Sequence, residues 1–294
     1  MSLKILERSQ HIDNSIQSLF LQAFKKAIDI SSFRNWYSDN PSGKIIEFGE
    51  FHDNQLIAYN YIFPQHYNGE VIYLSGGSMV DRNYTGLFIP FFITIENYLK
   101  KKCILLYAFC NKNSFPIFNS KLFRWKYNPN YKHLILTKSK QPVKINKETI
   151  ERISFKNFVY LNNSKNNFMK RRDDWILWRL SKPNTDYKIL KYNNIFVIFK
   201  KYGDQVDLIS ILNCKDQFEY IDILNKVYNY LQDNGISKKI SLIFSTQKMF
   251  KLIQKYFEYQ NENYERHLCY KTLNASSINF EEDFFIEMID SDVF

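Results

Sequence analysis

Residues 70–110 read EVIYLSGGSMVDRNYTGLFIPFFITIENYLKKKCILLYAFC, and they divide into parts of different periodicity. Glu70–Val80 is rich in aliphatic and aromatic residues and reads as a strand, with Gly76-Gly77 set inside it. Asn83–Gly86 carries turn chemistry. Leu87–Lys102 reads as a helix whose Pro90 falls in the first turn, where a missing N–H is tolerated. Cys103–Cys110 is an unbroken apolar run, the pattern of a strand buried on both faces. Strand, turn, helix and buried strand in this order place the chain in the α/β class.

Working outward, Asp13–Asp29 spaces Ile16, Leu19, Phe20, Ala23, Phe24, Ala27 and Ile28 as one face of a helix. Loop residues follow, up to Asn40-Pro41-Ser42-Gly43. Lys44–His52 and Leu56–His66 read as strands joined at Asp53-Asn54, with Gly49 a candidate bulge in the first. After the buried strand, Asn113-Ser114 can cap a helix with Pro116 in its first turn, reaching Leu122. Tyr131–Lys138 is a closing strand.

The second half repeats this order. Strands are expected at Tyr187–Leu190, Ile195–Lys201 and Gln205–Asn213, the first two meeting at Asn193-Asn194. Asp216 and Glu219 form a capping box for a helix whose apolar stripe is Phe218, Ile221, Leu224, Val227, Tyr228 and Leu231, ended by Gly235. Lys239–Phe244 is a buried strand. Thr246 caps a helix carrying Met249, Phe250, Leu252, Ile253, Tyr256 and Phe257, and His267–Leu273 closes the half. Each half thus reads β-β-β-α-β-α-β after a helical lead-in. Trp36–Pro41 and Trp178–Pro183 share the spacing Trp-x-x-x-x-Pro just ahead of that order, an echo of duplication. The expected domains are 1–145 and 146–294.

Composition agrees with two domains. The chain has 294 residues, 45% hydrophobic and 17% aromatic, with 26 Phe and 21 Tyr available to the cores. No stretch reaches the length of a membrane helix, and residues 1–15 lack the apolar core of a signal peptide, so a cytoplasmic protein without a membrane span is expected. The 4 cysteines form no CxxC pair and the 5 histidines are scattered, so buried free thiols and no metal site are expected. The net charge of +10 is unevenly placed, with 18 basic and 10 acidic residues in 1–145 against 22 and 20 in 146–294. An excess in the first half suits a polyanionic ligand such as a nucleotide, and equally a solvated lysine-rich surface. Nucleic acid as partner draws only on this charge and on Lys170-Arg171-Arg172. Asp173-Asp174 dilutes that cluster, and no nucleic-acid-binding signature accompanies it.

The β-β-β-α-β-α-β order resembles the GNAT acyltransferases, and doubled it resembles tandem GNAT proteins. In that family the third strand leads into a turn whose N–H groups, with those of the following helix, bind the pyrophosphate of acyl-coenzyme A, as free donors at a helix N-terminus can. The matching stretch is Met79-Val80-Asp81-Arg82-Asn83-Tyr84-Thr85-Gly86-Leu87-Phe88. The resemblance implies that Met79, Val80, Arg82, Tyr84, Thr85, Gly86 and Leu87 bind the cofactor. Of the family's glycines Gly86 alone is present, and the turn is about two residues short of the family pattern. Asn111 and Ser114, after the buried strand, match the family's contacts to the pantetheine arm, and serve equally as helix-flanking turn residues. Phe118–Phe123 resembles a further family segment without its glycine. Trp36, Asn40, Pro41 and Gly43, with the ending Phe284–Phe294, resemble tandem GNAT proteins linked to bacterial surface-polysaccharide sugars.

What the resemblance implies is direct transfer from acetyl-CoA or another acyl-CoA, with an acyl carrier protein as an alternative donor, to the amine or hydroxyl of an amino sugar or nucleotide sugar. A backbone N–H near Val80 would polarise the thioester carbonyl. Candidate proton acceptors are His66, at a strand end, and Asp290 and Asp292, in an acidic tail that could fold back. The second half would shape the acceptor site or be degenerate. The alternatives are a non-catalytic binding module that kept the doubled fold, and a FemX-like aminoacyl transferase, for which no helical-arm insertion is visible.

Overall fold

The computed structural model describes the chain except residues 1–2, 8, 26, 68–69, 143–149, 162–170, 263–265, 275–278, 281–285 and 292–294. Two compact units result, and neither is a contiguous half. One comprises Met1–Tyr127, Ser181–Pro183 and His267–Ser277; the other comprises Asn128–Leu180, Asn184–Arg266 and Ile278–Phe294.

The first unit begins with β1 (Lys4–Ile5), α1 (Gln10–Phe24), α2 (Ile30–Ser38), β2 (Ile46–His52), β3 (Gln55–Tyr67) and β4 (Glu70–Val80). A 3-10 turn (Arg82–Leu87), α3 (Phe88–Leu99), β5 (Leu105–Asn111), α4 (Phe115–Phe118) and β6 (Lys126–Tyr127) follow. The chain then builds the second unit with β7 (Lys132–Ser139), β8 (Ile150–Ile153), α5 (Phe155–Leu161), α6 (Asp173–Leu180), β9 (Lys188–Tyr192), β10 (Ile195–Tyr202) and β11 (Gln205–Leu212). It continues through α7 (Gln217–Asp233), β12 (Ile240–Phe244), α8 (Gln247–Tyr256) and β13 (Phe257–Asn261). β14 (Arg266–Thr272) returns to the first sheet, and α9 (Met288–Ser291) ends in the second unit.

Among the described residues each sheet has seven strands. The orders are β1-β2-β3-β4-β5-β14-β6 and β13-β7-β12-β11-β10-β9-β8. Read from opposite ends, these are the same order, so the duplication is present in the topology. The sixth position of each sheet holds the last long strand of the other half. Tyr131–Lys138 was expected to close the first half, but β7 instead pairs with β12, Leu134 opposite Leu242. The two Trp-x-x-x-x-Pro echoes also match: Trp36 lies in α2 and Trp178 in α6, each buried and each one helix ahead of the main strands.

The helical lead-in differs from the expected single helix to Asp29. Ser9 caps α1 by accepting from the Ile12 N–H (3.3 Å), and Lys25 closes it in the left-handed region at φ 58°. Asp29 then caps a new helix by accepting from the Ser32 N–H (3.0 Å). A buried polar cluster ties both helices to the sheet. Arg34 of α2 donates to Asp13 of α1 and to Glu47 of β2 (2.7 and 2.9 Å), and the Tyr59 hydroxyl also donates to Glu47 (2.6 Å). Burial pushes the Arg34 pKa down, but Glu47 and Asp13 outweigh it and hold the guanidinium charged.

The other face of the first sheet carries the apolar core. Phe91, Phe92, Ile95 and Leu99 of α3 pack there with Phe118, Phe123 and Trp125. Inside it Glu96 accepts from Trp125 Nε1 (2.7 Å) and from Lys271 Nζ of β14 (2.5 Å). In the second unit Ile221, Leu224, Val227, Tyr228 and Leu231 of α7 cover β10–β12 as expected. Phe218, expected in that stripe, is 61% exposed, with Lys248 Nζ 5.6 Å from its ring. The four cysteines are free and buried. Gly49 is not the bulge, which lies at Glu50/Phe51; a Cβ at Gly49 would instead sit 2.7 Å from Leu6 and 2.8 Å from Leu56.

A chain of residues 1–145 lacks β14, so β5 keeps an open edge and Glu96 loses its cation. It should aggregate or show no near-ultraviolet circular dichroism, whereas the whole chain shows a fixed aromatic signal. A sharp near-ultraviolet spectrum from the fragment alone would contradict the exchange of strands.

Candidate functional site

The candidate site starts from an irregularity in β4. Tyr59 of β3 faces Met79, but Tyr61 faces Gly76, so Gly77 and Ser78 together oppose Asn60. This is a β-bulge, and it needs the glycines. Gly77 takes φ 59°, which Gly adopts without a Cβ clash. A Cβ on Gly76 would lie 2.5 Å from the Tyr61 hydroxyl and 2.6 Å from its ring. Asn60 clamps the bulge: its Nδ2 donates to Ser75 Oγ (2.9 Å), Gly76 O (3.1 Å) and Ser78 Oγ (2.8 Å). The amide replaces the ladder bonds that the extra residue breaks. Its Oδ1, fully buried, has no hydrogen-bond partner. An orphaned acceptor of this kind costs about 1–3 kcal/mol. The side chain thus serves the bulge through its donors.

The bulge bends β4 out of line. Parallel pairing with β5 runs from Ile72 opposite Leu105 to Ser75 opposite Ala108 and stops there. From Gly76 to Val80 the two strands part. Val80 stands opposite Ala58, and the next residue, Asp81, donates its N–H to Ile57 O (2.8 Å). Successive N–H groups of a strand alternate in direction, so the Val80 N–H faces the side that β5 has left.

The turn that follows is closed by Asp81. Its carboxylate accepts from the Asn83 N–H (2.9 Å), and its carbonyl accepts from the Tyr84 N–H (2.8 Å). The Phe88 N–H is taken by Thr85 O. The expected cradle of free N–H groups is therefore partly filled by the chain itself. Exposed on the lip are Arg82, Thr85 and Gly86, with open space around Gly86. The Tyr84 hydroxyl meets His52 Nδ1 (3.1 Å). Met79 is buried in the strand beneath, and Leu87 is half-buried. Seven of the expected cofactor residues, Met79 to Leu87, thus lie in one strand-end and turn.

The other expected residues separate from these. Asn111 and Ser114 form a local turn, in which Asn111 Oδ1 accepts from the Asn113 and Ser114 N–H groups (2.9 and 3.0 Å) and Ser114 Oγ accepts from the Asn111 N–H (3.0 Å). They lie at the end of β5, whose departure opens the gap. His66 is exposed at the β3–β4 hairpin, opposite Val71. That is five residues of β4 before the strands part, roughly 17 Å at the rise of a strand. Asp290 lies in the second unit. Asp292 lies outside the described residues. The charge excess of the first half is also redistributed. The first unit holds 16 basic and 10 acidic residues, the second 24 and 20, giving +6 against +4.

The second unit repeats the irregularity. Ile198 faces Ser210 and Phe199 faces Leu208, so Ile209 is the extra residue, and pairing of β11 with β12 stops at Asp207 opposite Ser241. Counting from the bulge, Ser210 matches Met79 and Ile211 matches Val80. Here the gap is spanned. The Ile211 N–H donates to Glu287 Oε1 (3.1 Å), as does the Tyr220 hydroxyl (2.9 Å); Ser210 Oγ donates to Glu287 Oε2 (2.5 Å). The Ile286 N–H donates to Ser245 Oγ, just beyond β12 (2.9 Å). Arg171 bonds Glu287 (2.9 Å) and, through two nitrogens, Asp290 (2.5 and 3.2 Å). Burial lifts the pKa of Glu287, and burial beside Glu287 lifts that of Tyr220. Burial disfavours the Arg171 charge, but Asp290 and Glu287 outweigh it. At the helix start Asp216 accepts from the Phe218 and Glu219 N–H groups (2.9 and 2.8 Å), and Glu219 accepts from the Lys215 N–H (2.7 Å). Asp216 thus caps the helix as expected, while Glu219 reaches back to Lys215, one residue before the cap, instead of to Asp216.

A cavity of about 320 Å³ opens in the first unit between α1 and the start of β3, lined by His11, Asn14, Ser15, Ser18, Gln22 and Gln55. Its lining combines these neutral amide, hydroxyl and imidazole groups with the apolar side chains of Leu19 and Leu56. Among the described residues no three metal-ligating side chains converge, and no helix is long and apolar enough to cross a membrane.

No family model and no curated protein matches the sequence. Solved structures do match the fold. A conserved protein of Enterococcus faecalis described as a probable N-acyltransferase aligns with 93% of this chain and 73% of its own, at 12% identity and a TM-score of 0.62. A GCN5-related N-acetyltransferase of Anabaena variabilis aligns with 93% and 73%, at 11% identity and a TM-score of 0.63. A tandem GNAT protein from the clavulanic acid pathway aligns with 94% of this chain and all of its own, at 9% identity and a TM-score of 0.57. The fold is thus the doubled mixed sheet of the GNAT acyltransferases, as expected.

Asn60→Ala removes the clamp on the bulge and should destabilise the protein by about 1–2 kcal/mol, since three bonds are lost but the orphaned oxygen goes with them. Urea unfolding measures this. An unchanged midpoint would show that the bulge holds without the amide.

Proposed function

We propose that the protein is an acyl-CoA-dependent N- or O-acyltransferase working by direct transfer, with its donor site in the first unit. The observation that carries this is the Val80 N–H, facing a gap between β4 and β5 that the fold itself holds open. A thioester lying in that gap places its carbonyl oxygen on the N–H. The pantetheine arm extends along Gly76–Val80, and the diphosphate lies over Arg82, Thr85 and Gly86.

Attack by an amine or hydroxyl on the carbonyl carbon forms the new C–N or C–O bond and moves charge onto the oxygen. The fixed N–H stabilises that charge without reorganising. Collapse breaks the C–S bond, the acceptor loses a proton, and the thiolate takes one up. No covalent enzyme intermediate is needed. His66, exposed at the far hairpin, and Asp290, paired with Arg171, are poorly placed as the base, which leaves Asp292, another group or water to take the proton. The acceptor in this reading is a small hydroxylated compound such as an amino sugar or nucleotide sugar. The uncharged lining of the α1 cavity supports it, because its amides and hydroxyls match hydroxyl groups and its Leu19 and Leu56 match the apolar face of a sugar ring better than they match a charged chain. Acetyl-CoA is the simplest donor, and an acyl carrier protein is the alternative.

One observation favours a second reading. Asp81 already fills the Asn83 and Tyr84 donors, which a diphosphate would otherwise use. A binding module that kept the fold and lost the donor would look like this.

Gly86→Trp separates the two. A Cβ at Gly86 meets no atom within 4 Å, so the fold tolerates the change while the ring covers the lip. Calorimetry should show acetyl-CoA binding to the wild type and at least about tenfold weaker binding to the variant, roughly 1.4 kcal/mol, with the unfolding midpoint unchanged. Wild-type protein that binds no acyl-CoA supports the second reading.

A further inference from the structure

We propose that the second unit carries its own permanent occupant: the segment Ile286–Asp290 fills the gap between β11 and β12, and Glu287 stands where a thioester carbonyl would stand, so the chain takes a single acyl donor. The part of this that concerns donor number rests on the acyltransferase reading; the occupancy does not.

The argument is one of matched positions. Val80 and Ile211 are each the second paired residue beyond a bulge, and each lies where the neighbouring parallel strand has already stopped pairing. The Val80 N–H faces an open side. The Ile211 N–H is bonded to a carboxylate oxygen, an acceptor stronger than a neutral thioester carbonyl. The same segment reaches both lips of the gap, through Glu287 to Ser210 and Ile211 and through Ile286 to Ser245. It thereby restores the bonding that the parted strands lack.

The occupant is held from behind as well. Arg171 bridges Glu287 and Asp290, the Glu287 N–H donates to Asp290 Oδ2 (2.9 Å), and Arg179 donates to Ile289 O (2.7 and 2.9 Å). Ile286, Glu287 and Ile289 are at most 1% exposed. Displacing Glu287 would take one of its two carboxylate partners from the buried Arg171 and leave the Ser210 and Tyr220 hydroxyls without their acceptor, which makes exchange with a neutral ligand unfavourable. The phosphate end is closed independently, since Asp216 and Glu219 fill the donors before and at the start of α7. Both ends of a donor site are thus spent, by different residues.

The test follows individual amides by hydrogen exchange in the whole chain. In the wild type Ile211 should exchange at least about 1,000-fold slower than a free amide, and adding acetyl-CoA should leave it unchanged while slowing Val80. In Glu287→Ala the Ile211 protection should fall at least tenfold. Should that variant fail to fold, the wild-type comparison of Ile211 with Val80 still decides. Rapid exchange at Ile211 in the wild type, or protection there that appears only with acetyl-CoA, overturns the proposal. Calorimetry adds the count: one equivalent of acetyl-CoA, bound at least about tenfold more weakly by Gly86→Trp, is expected, and a second equivalent overturns it. If no acetyl-CoA binds anywhere, the acyltransferase reading falls, and the exchange data alone decide the occupancy.

Discussion

The chemistry available to this protein depends on one extra residue in β4. A regular parallel pair would satisfy every backbone group between β4 and β5 and leave nothing for a ligand. The bulge at Gly77-Ser78 ends the pairing after Ser75, and the Asn60 amide keeps the bulge from annealing back into the ladder. A backbone donor is thereby exposed without a loop to carry it, on an element as rigid as the sheet. The left-handed Gly77 and the close approach of Tyr61 to Gly76 are the local conditions for it. The orphaned oxygen of Asn60 is its energetic trace.

The same irregularity occurs twice and has opposite outcomes. In the second unit the acidic side chain of Glu287 binds the exposed donor, while Asp216 binds the helix start much as Asp81 binds the turn in the first. Duplication produced two gaps, and the sequence differences that separate them are few: a glutamate, an arginine to hold it, and a serine where the first unit has Met79. The asymmetry is one of backbone occupancy. It is not one of charge, because the units differ only by +6 against +4.

Element types along most of the chain were legible, because the periodicities of Glu70–Val80, Cys103–Cys110 and the α7 stripe are set by burial and the sheets bury them. The paired glycines in β4 were visible as an interruption, and a polar Asn60 in the apolar run Leu56–Pro64 was a signal that pairwise strand logic did not use. The division of the lead-in at Lys25 was hidden, since it depends on a left-handed lysine and on Asp29 capping a helix with little apolar periodicity. The partner of each closing strand was not legible at all. β7 and β14 have similar alternation, so either could fill either sheet, and only the tertiary fit of Lys271 to Glu96 and of His133 to Ser241 distinguishes them. The role of Glu287 was invisible for the same reason, as its partners lie 76 and 77 residues away in the chain.

The exchange of strands also governs when each unit can be finished. β14 sits between β5 and β6, yet it is synthesised after all seven described strands of the second sheet. The first sheet must therefore wait, with an unfilled slot beside Cys110 and an unpaired Glu96, while the whole second sheet is made. The second sheet has no such delay for β7, which precedes its other strands. Folding during synthesis thus runs against chain order: the later half can close first, and the earlier half closes around the returning strand. Contacts that span more than 140 residues make that last step slow, so the waiting sheet is the point at which this chain is most exposed to aggregation.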